Sequence, residues 1–271
     1  LLDSARLQEE DAEFKRKRHE KEGRTGLHPE VPLYTTTDAE ACFPLFSKVN
    51  YDQPVTLGDG IEASFHDAGH VLGSAMIRVK INQNGKVRTI LFSGDIGGWD
   101  KPMLPNPTLF DQADYVLVES TYGDRLHESP QDLDKTLATI INTTQQAGGN
   151  IVIPSFALER AQEMLYHLNR LLRGNHIPHL MVFVDSPMAT SITEVFQRHL
   201  DLLSDEAKAL LSRKESPFKF PALNLVRTVD DSKAINHITG TVIIIAGSGM
   251  CTGGRIKHHL VNNISRREST I

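Results

Sequence analysis

Two short turns carry residue types that bind metal ions. One reads Asp67-Ala68-Gly69-His70 and the other Ser93-Gly94-Asp95-Ile96-Gly97, each directly after a run with strand character. Imidazole nitrogen and carboxylate oxygen are both ordinary zinc ligands. Glycines beside His70 and on both sides of Asp95 let the backbone turn sharply and leave the side chain at a strand end. Asp67 is placed to orient the His70 ring, as carboxylates behind ligating histidines do. Taken singly, a capped loop histidine and a turn-forming aspartate explain these residues better. Their placement beyond two strands that should be neighbours points instead to a shared metal site. Glu119, in Val118-Glu119-Ser120-Thr121, puts a third acid at the end of an apolar run. An acid there is costly unless paired or working, with helix capping as the plainer account.

A second set of turns lies further along. Pro154-Ser155-Phe156-Ala157, Asp185-Ser186-Pro187-Met188 and the glycine-rich run 247–255 each follow an apolar stretch and precede a helical one. Small polar turns at the carboxyl ends of parallel strands line a crevice where anions bind. Ser155, Arg160, Ser248 and Thr252 are the candidates to touch phosphates. The glycine-rich run has the look of a phosphate cradle but lacks the Walker A spacing. Taken singly, each turn is better explained as an ordinary strand-to-helix loop with an N-cap.

The elements that must hold these turns follow from periodicity. Residues 5–22 predict a charged helix, with Lys15 to Arg18 a solvated face or, less simply, an RNA-contacting patch. Residues 23–32 form a linker and a short helix follows from Asp38, irregular at Pro44. Strands are expected over 61–66, 75–81 and 86–92, with Asn84-Gly85 as a hairpin turn. Residues 115–118 read as a strand of the buried type. After Gly123 the period changes. Ser129-Pro130 predicts a helix start and Gly148-Gly149 its stop. Then come strand 151–153, helix 158–172, strand 180–184, helix 189–199, a further helical stretch, a strand near 223–226, strand 241–246 and helix 255–264. Strands alternating with helices of this length imply a parallel sheet, with the continuously apolar 241–246 at its centre.

Composition narrows the classes. The chain has 271 residues, 39% apolar and 23% charged, which is globular. A net charge of −5 argues against a broadly basic nucleic-acid coat, so a polyanion must be met by a local patch or by metal. Two cysteines make no disulfide framework and fit a reducing cytoplasm. No apolar run approaches the ~18 residues of a membrane span. The first residue is Leu1 and the last step is Thr270-Ile271, which reads as a strand beginning. Both ends are therefore expected to be internal to a longer chain.

In order, the chain carries DAGHVLGSA, SGDIG, VESTYGDR, PSFALERAQE, DSPMA and GSGMCTGG. That series resembles the β-CASP RNA-processing nucleases of the metallo-β-lactamase superfamily. These include bacterial RNase J, archaeal enzymes and the endonuclease subunit of the cleavage and polyadenylation factor. The likeness covers about residues 60–271, and the opening LLDSARLQEEDAE is similar too. It implies an α/β chain in which residues 1–122 are a partial metallo-β-lactamase αββα sandwich and residues 123–271 an inserted parallel-sheet β-CASP domain. It also implies two zinc ions, His70 as a ligand of one, Asp95 bridging both, and Glu119 as the acid that opens the insertion and acts in catalysis. RNA, single-stranded, would be the substrate, cut by a metal-activated hydroxide; a homodimer, a cytoplasmic location and no membrane contact complete the picture. The family's HxHxDH motif and its two later histidine motifs are not in this sequence, and His258 and His259 do not match them. The first of these is expected before residue 1, so the chain alone should neither hold stoichiometric zinc nor cut RNA. The rival expectations are a non-catalytic RNA-processing scaffold of the same fold and a metallo-hydrolase of another substrate class.

Overall fold

A computed structural model describes residues 1–26, 28–126, 133–213 and 215–271. They fall into two compact units, residues 1–50 and 51–271. The expected helix start at Ser129-Pro130 lies outside the described residues.

In the first unit, helix α1 spans Leu2–Glu22 and ends on Gly23 at φ 61. That is the left-handed cap for which glycine is suited. Lys15, Lys17 and Arg18 each pair with an acid one turn away, Asp11, Glu13 and Glu22. The basic run is therefore a solvated helix face, not a free cationic patch. Helix α2, Thr36–Cys42, begins before Asp38 because Thr35 and Asp38 form a capping box. Pro44 sits in the 3₁₀ turn that follows, Phe43–Leu45.

The second unit holds two sheets. The first contains β1 (Pro54–Gly58), β2 (Ile61–Asp67), β3 (Ala75–Gln83), β4 (Lys86–Phe92) and β5 (Tyr115–Leu117), in that spatial order. Strands β1 to β4 are antiparallel, and β5 adds to β4 in parallel. Gln83 pairs with Lys86 around Asn84 and Gly85, both at positive φ, the two-residue hairpin that the Asn-Gly signal predicts. One expectation is corrected here. The strands that precede His70 and Asp95, β2 and β4, are not neighbours; β3 lies between them. Both are antiparallel to β3, so they run the same way and their following turns still share one edge.

A second correction concerns β5, expected to be buried. Tyr115, Val116 and Leu117 are all more than half exposed. An apolar run marks strands covered on both faces, but β5 is the last strand of its sheet and the described chain lays nothing over it.

The second sheet is wholly parallel: β6 (Ile151–Pro154), β9 (Val242–Ala246), β7 (Met181–Asp185) and β8 (Leu223–Val226). Helices α3 (Leu133–Ala147), α4 (Arg160–Arg173), α5 (Pro187–Arg198), α6 (Asp205–Ser212), α7 (Val229–Ala234) and α8 (Ile256–Asn263) connect or follow these strands. Every residue of β9 is buried, as its apolar run predicts. Ile243 and Ile245 face a core with Leu165, Leu168 and Phe196, while Ile244 faces one with Ile235 and Ile256. Thr270 forms a parallel bridge to Ile151 on the outer side of β6. The first sheet precedes the expected boundary at 122 and the second follows it. Among the described residues no helix is long and apolar enough to cross a membrane.

The two sheets should respond differently to truncation. Ile244→Ala, at 1% exposure, is expected to cost about 2–5 kcal/mol. Leu117→Ala, at 52% exposure, should cost under about 0.5 kcal/mol, the range of surface changes. Urea unfolding of the two variants checks this; equal costs would mean that β5 is covered.

Candidate metal site and strand-end crevice

The turn after β2 is built from its own polar groups. Asp67 Oδ1 accepts the Gly69 N–H at 2.7 Å, and Ser74 Oγ accepts the His70 and Val71 N–H groups, both at 3.2 Å. Asp67 therefore shapes the turn; the sequence had suggested that it orients the His70 ring. Burial, with the Asp52 charge adding to it, pushes the Asp67 carboxyl up despite that hydrogen bond. Lys101 Nζ donates to the His70 carbonyl at 2.9 Å and fixes the turn from outside.

The turn after β4 packs directly against it. Gly97 N–H donates to the Ala68 carbonyl at 2.8 Å, and a Cβ on Gly97 would lie 1.8 Å from the Gly69 carbonyl oxygen. Only glycine fits there. The result is that His70 Nε2 and Asp95 Oδ2 lie 3.9 Å apart, with side chains 41% and 75% exposed. Glu119 enters from the end of β5. Its Oε1 accepts the Ile96 N–H and its Oε2 the Thr121 hydroxyl, both at 2.7 Å, while its own N–H donates to Ser93 Oγ at 3.0 Å. Thr121 first, then Ile96, hold the Glu119 carboxyl below the usual range, with His70 contributing. Glu119 is thus no helix cap: it braces the Asp95 turn.

His70 and Asp95 present an open imidazole and an open carboxylate to the same space, a donor set that suits zinc. They are two ligands, where a catalytic zinc takes about three from protein. Among the described residues no group of three or more His, Cys, Asp or Glu side chains is arranged to hold a metal ion. The residues present fit part of a metal site.

The turns after β6, β7 and β9 share one edge, as parallel strands require. They also touch: a Cβ on Gly247 would lie 3.7 Å from the Ser155 carbonyl oxygen and 3.8 Å from Ser186 Oγ. The four candidate phosphate contacts are not equivalent there. Ser155 is 6% exposed and its hydroxyl donates to the Phe156 carbonyl at 3.0 Å. Ser248 Oγ donates to the Gly253 carbonyl at 3.3 Å. Arg160 is exposed and paired to Glu163 at 2.8 Å. Thr252 is exposed on the glycine-rich turn. Behind them, fully buried Asp185 accepts from Arg255 at 2.7 Å, His259 at 2.6 Å and Ser232 at 2.5 Å. Burial works against its charge, but these three donors outweigh burial and hold it below the ordinary range. His259 is thereby a structural partner on α8.

Residues 161–271 match the Beta-Casp domain. Ribonuclease TTHA0252 of Thermus thermophilus is 36% identical over 234 residues, which cover 86% of this chain and 53% of that protein. The RNase J-like protein of Methanocaldococcus jannaschii is 30% identical over 84% of this chain and 52% of its own length. Endoribonuclease YSH1 of Eremothecium gossypii is 30% identical over 82% of this chain and 28% of its own. The chain thus carries a Beta-Casp domain over residues 161–271, in an α/β architecture with a parallel sheet that is consistent with the metallo-β-lactamase and β-CASP fold. It spans about half the length of the first two relatives.

One residue of the β-CASP series escaped the sequence reading. In PSFALERAQE, Glu159 looks like part of α4, and the spacing offers nothing to single it out. The structure starts α4 at Arg160, two residues after the expected 158, because Glu159 stands at φ 66 and ψ −58. It is 4% exposed, and its Oε2 accepts the Leu72 N–H at 3.3 Å, two residues past His70. Burial first, then the Glu163 charge, push its carboxyl up to about 7. A raised carboxyl pKa means that the folded state holds a proton the unfolded chain has lost. Folding stability from this group is therefore full below the ordinary value of 4.5, falls as pH rises from there to about 7, and is flat above. Glu159→Gln should remove that decline. Thermal unfolding from pH 4.5 to 8 compares the slopes; the same slope in both proteins would show that Glu159 does not titrate there.

Proposed function

We propose that the intact protein is a zinc-dependent ribonuclease that hydrolyses phosphodiester bonds of single-stranded RNA, working in the cytoplasm. The observation that carries this reading is the meeting of His70 and Asp95, 3.9 Å apart at one sheet edge and open to solvent. The names of the relatives, a ribonuclease and an endoribonuclease among them, support the substrate class. The two free cysteines, Cys42 and Cys251, suit a reducing compartment.

In this reading His70 and Asp95 would be the residues of this chain that hold the zinc, with the remaining ligands from elsewhere in the intact protein. When bound, zinc supplies positive charge to the phosphodiester and lowers the pKa of water to about 7. The chain's own residues do the rest. Lys101 and Ser74 keep the His70 turn in place, and Gly97 lets the Asp95 turn approach it. The donors that keep Glu119 ionised make it a poor acid at neutral pH, so it serves by bracing Asp95 through Ile96. The exposed crevice residues, Arg160 and Thr252, are the candidates to seat RNA phosphates.

Asp95→Ala in the intact protein is expected to abolish RNA cleavage and to lower zinc content. Loss of a metal ligand should exceed the roughly 10–100-fold loss typical of removing a group that only orients a ligand. Thr121→Val, which removes a donor from Glu119, should fall within that lesser range. A nuclease assay beside metal analysis measures both. Full zinc and wild-type turnover in Asp95→Ala would end the metal reading.

A further inference from the structure

We propose that Glu159 is a positioning residue, tying the His70 turn to the parallel-sheet core through the Leu72 N–H. The inference rests on the reading of His70 as part of the reaction site. Three features of the structure support it, and they are independent of one another.

The first is backbone conformation. At φ 66 and ψ −58, with the Arg160 N–H donating to the Leu158 carbonyl at 2.9 Å, Glu159 is the centre of a γ-turn of the strained hand. A non-glycine residue there costs of order 1–3 kcal/mol and persists where its surroundings demand it. Glycine would relieve the strain, so a side chain at this position needs a reason. The second is burial. A carboxylate at 4% exposure loses its water, and its Oε1 has no hydrogen-bond partner among the described residues. Such a group is destabilising unless it does work elsewhere. The third is its contact. Oε2 reaches across to the 68–74 turn and satisfies the Leu72 N–H, while the Leu72 side chain packs on the hydrophobic core of the parallel-sheet part. Leu72 is therefore held by both main chain and side chain, two residues from His70. Lys101, which donates to the His70 carbonyl, is close enough to Glu159 for its charge to be felt there. Glu163 and Arg160 are the other charged groups facing it.

The consequence is a division of labour. The first sheet supplies the strand ends, and Glu159 sets where the His70 turn stands against the part that carries the crevice. Losing it should disturb the placement of the reacting groups, not the binding of RNA.

The test compares Glu159→Gly and Glu159→Gln with the wild type in the intact protein. Hydrogen–deuterium exchange is followed over residues 68–75 and over β9. Glycine accepts φ 66 without strain, so Glu159→Gly should unfold at the same temperature or higher. Its 68–75 segment should nonetheless exchange about tenfold faster, the effect of one lost hydrogen bond, with β9 unchanged. Glu159→Gln keeps an acceptor oxygen and should restore most of the protection. In RNA cleavage, kcat should fall in Glu159→Gly while KM for a single-stranded oligonucleotide stays within about twofold. Wild-type exchange at 68–75 in Glu159→Gly would overturn the proposal, as would Glu159→Gln exchanging as fast as Glu159→Gly. If the wild type cuts no RNA but the exchange pattern holds, the ribonuclease reading fails and the positioning role stands.

Discussion

Two turns meet because neither has a side chain at the point of contact. Gly97 approaches so near the Gly69 carbonyl that any Cβ would overlap it, and the Gly97 N–H closes the contact on Ala68. Everything proposed for the site depends on this approach. His70 and Asp95 follow strands separated by a third, β3, and strands lie about 4.8 Å apart in a sheet. Their turns must therefore cross the end of β3 to bring an imidazole and a carboxylate within 3.9 Å. A larger residue at 97 would push Asp95 outward without unfolding either strand.

The parallel-sheet core then fixes these turns from the far side. Leu72, Met103 and Leu104 all pack with its hydrophobic cluster. Ser204 at the start of α6 bonds the Pro102 carbonyl through its hydroxyl at 2.6 Å and the Met103 carbonyl through its N–H at 2.8 Å. Lys101 sits between these anchors and donates to His70. A sheet with an exposed last strand is a poor support by itself, since edge and face are both open to water. The buried, two-faced β9 and its helices are the rigid body to which the site loops are attached.

Much of this was legible because it is written in local pattern. The Asn84-Gly85 hairpin, the parallel alternation, the apolar β9 and the strand-end positions of His70, Asp95 and Glu119 all follow from period and turn chemistry. What was not legible depends on partners distant in sequence. The strand 115–117 has the composition of a buried strand, and composition records what a strand can be packed against, not what lies over it in this chain. That β3 separates β2 from β4 could have been read from the Asn-Gly hairpin, since a hairpin makes β3 and β4 neighbours and leaves β2 the other side. Asp67 was assigned to a ring when the nearest donor was the amide two residues on, the commonest habit of aspartate in turns. Glu159 left no trace, because a left-handed backbone and a contact 87 residues away have no signature in helical spacing.

The charge balance bears on how RNA would be met. The chain carries −5 overall, and Arg255 is engaged with Asp185, Arg160 with Glu163 and Lys101 with the His70 carbonyl. Asp67, Asp95 and Glu119 gather at the sheet edge around His70. A phosphodiester brought to that edge would meet carboxylates, and at 4 Å a like-charge pair costs about 4 kcal/mol at an effective dielectric of 20. A site of this composition is unsuited to an anion as it stands. It becomes suited once divalent cations outweigh the carboxylates that hold them, because bound ions are then the largest local charges. The acidity of the edge, which argues against RNA if the residues act by themselves, is what the proposed zinc would require.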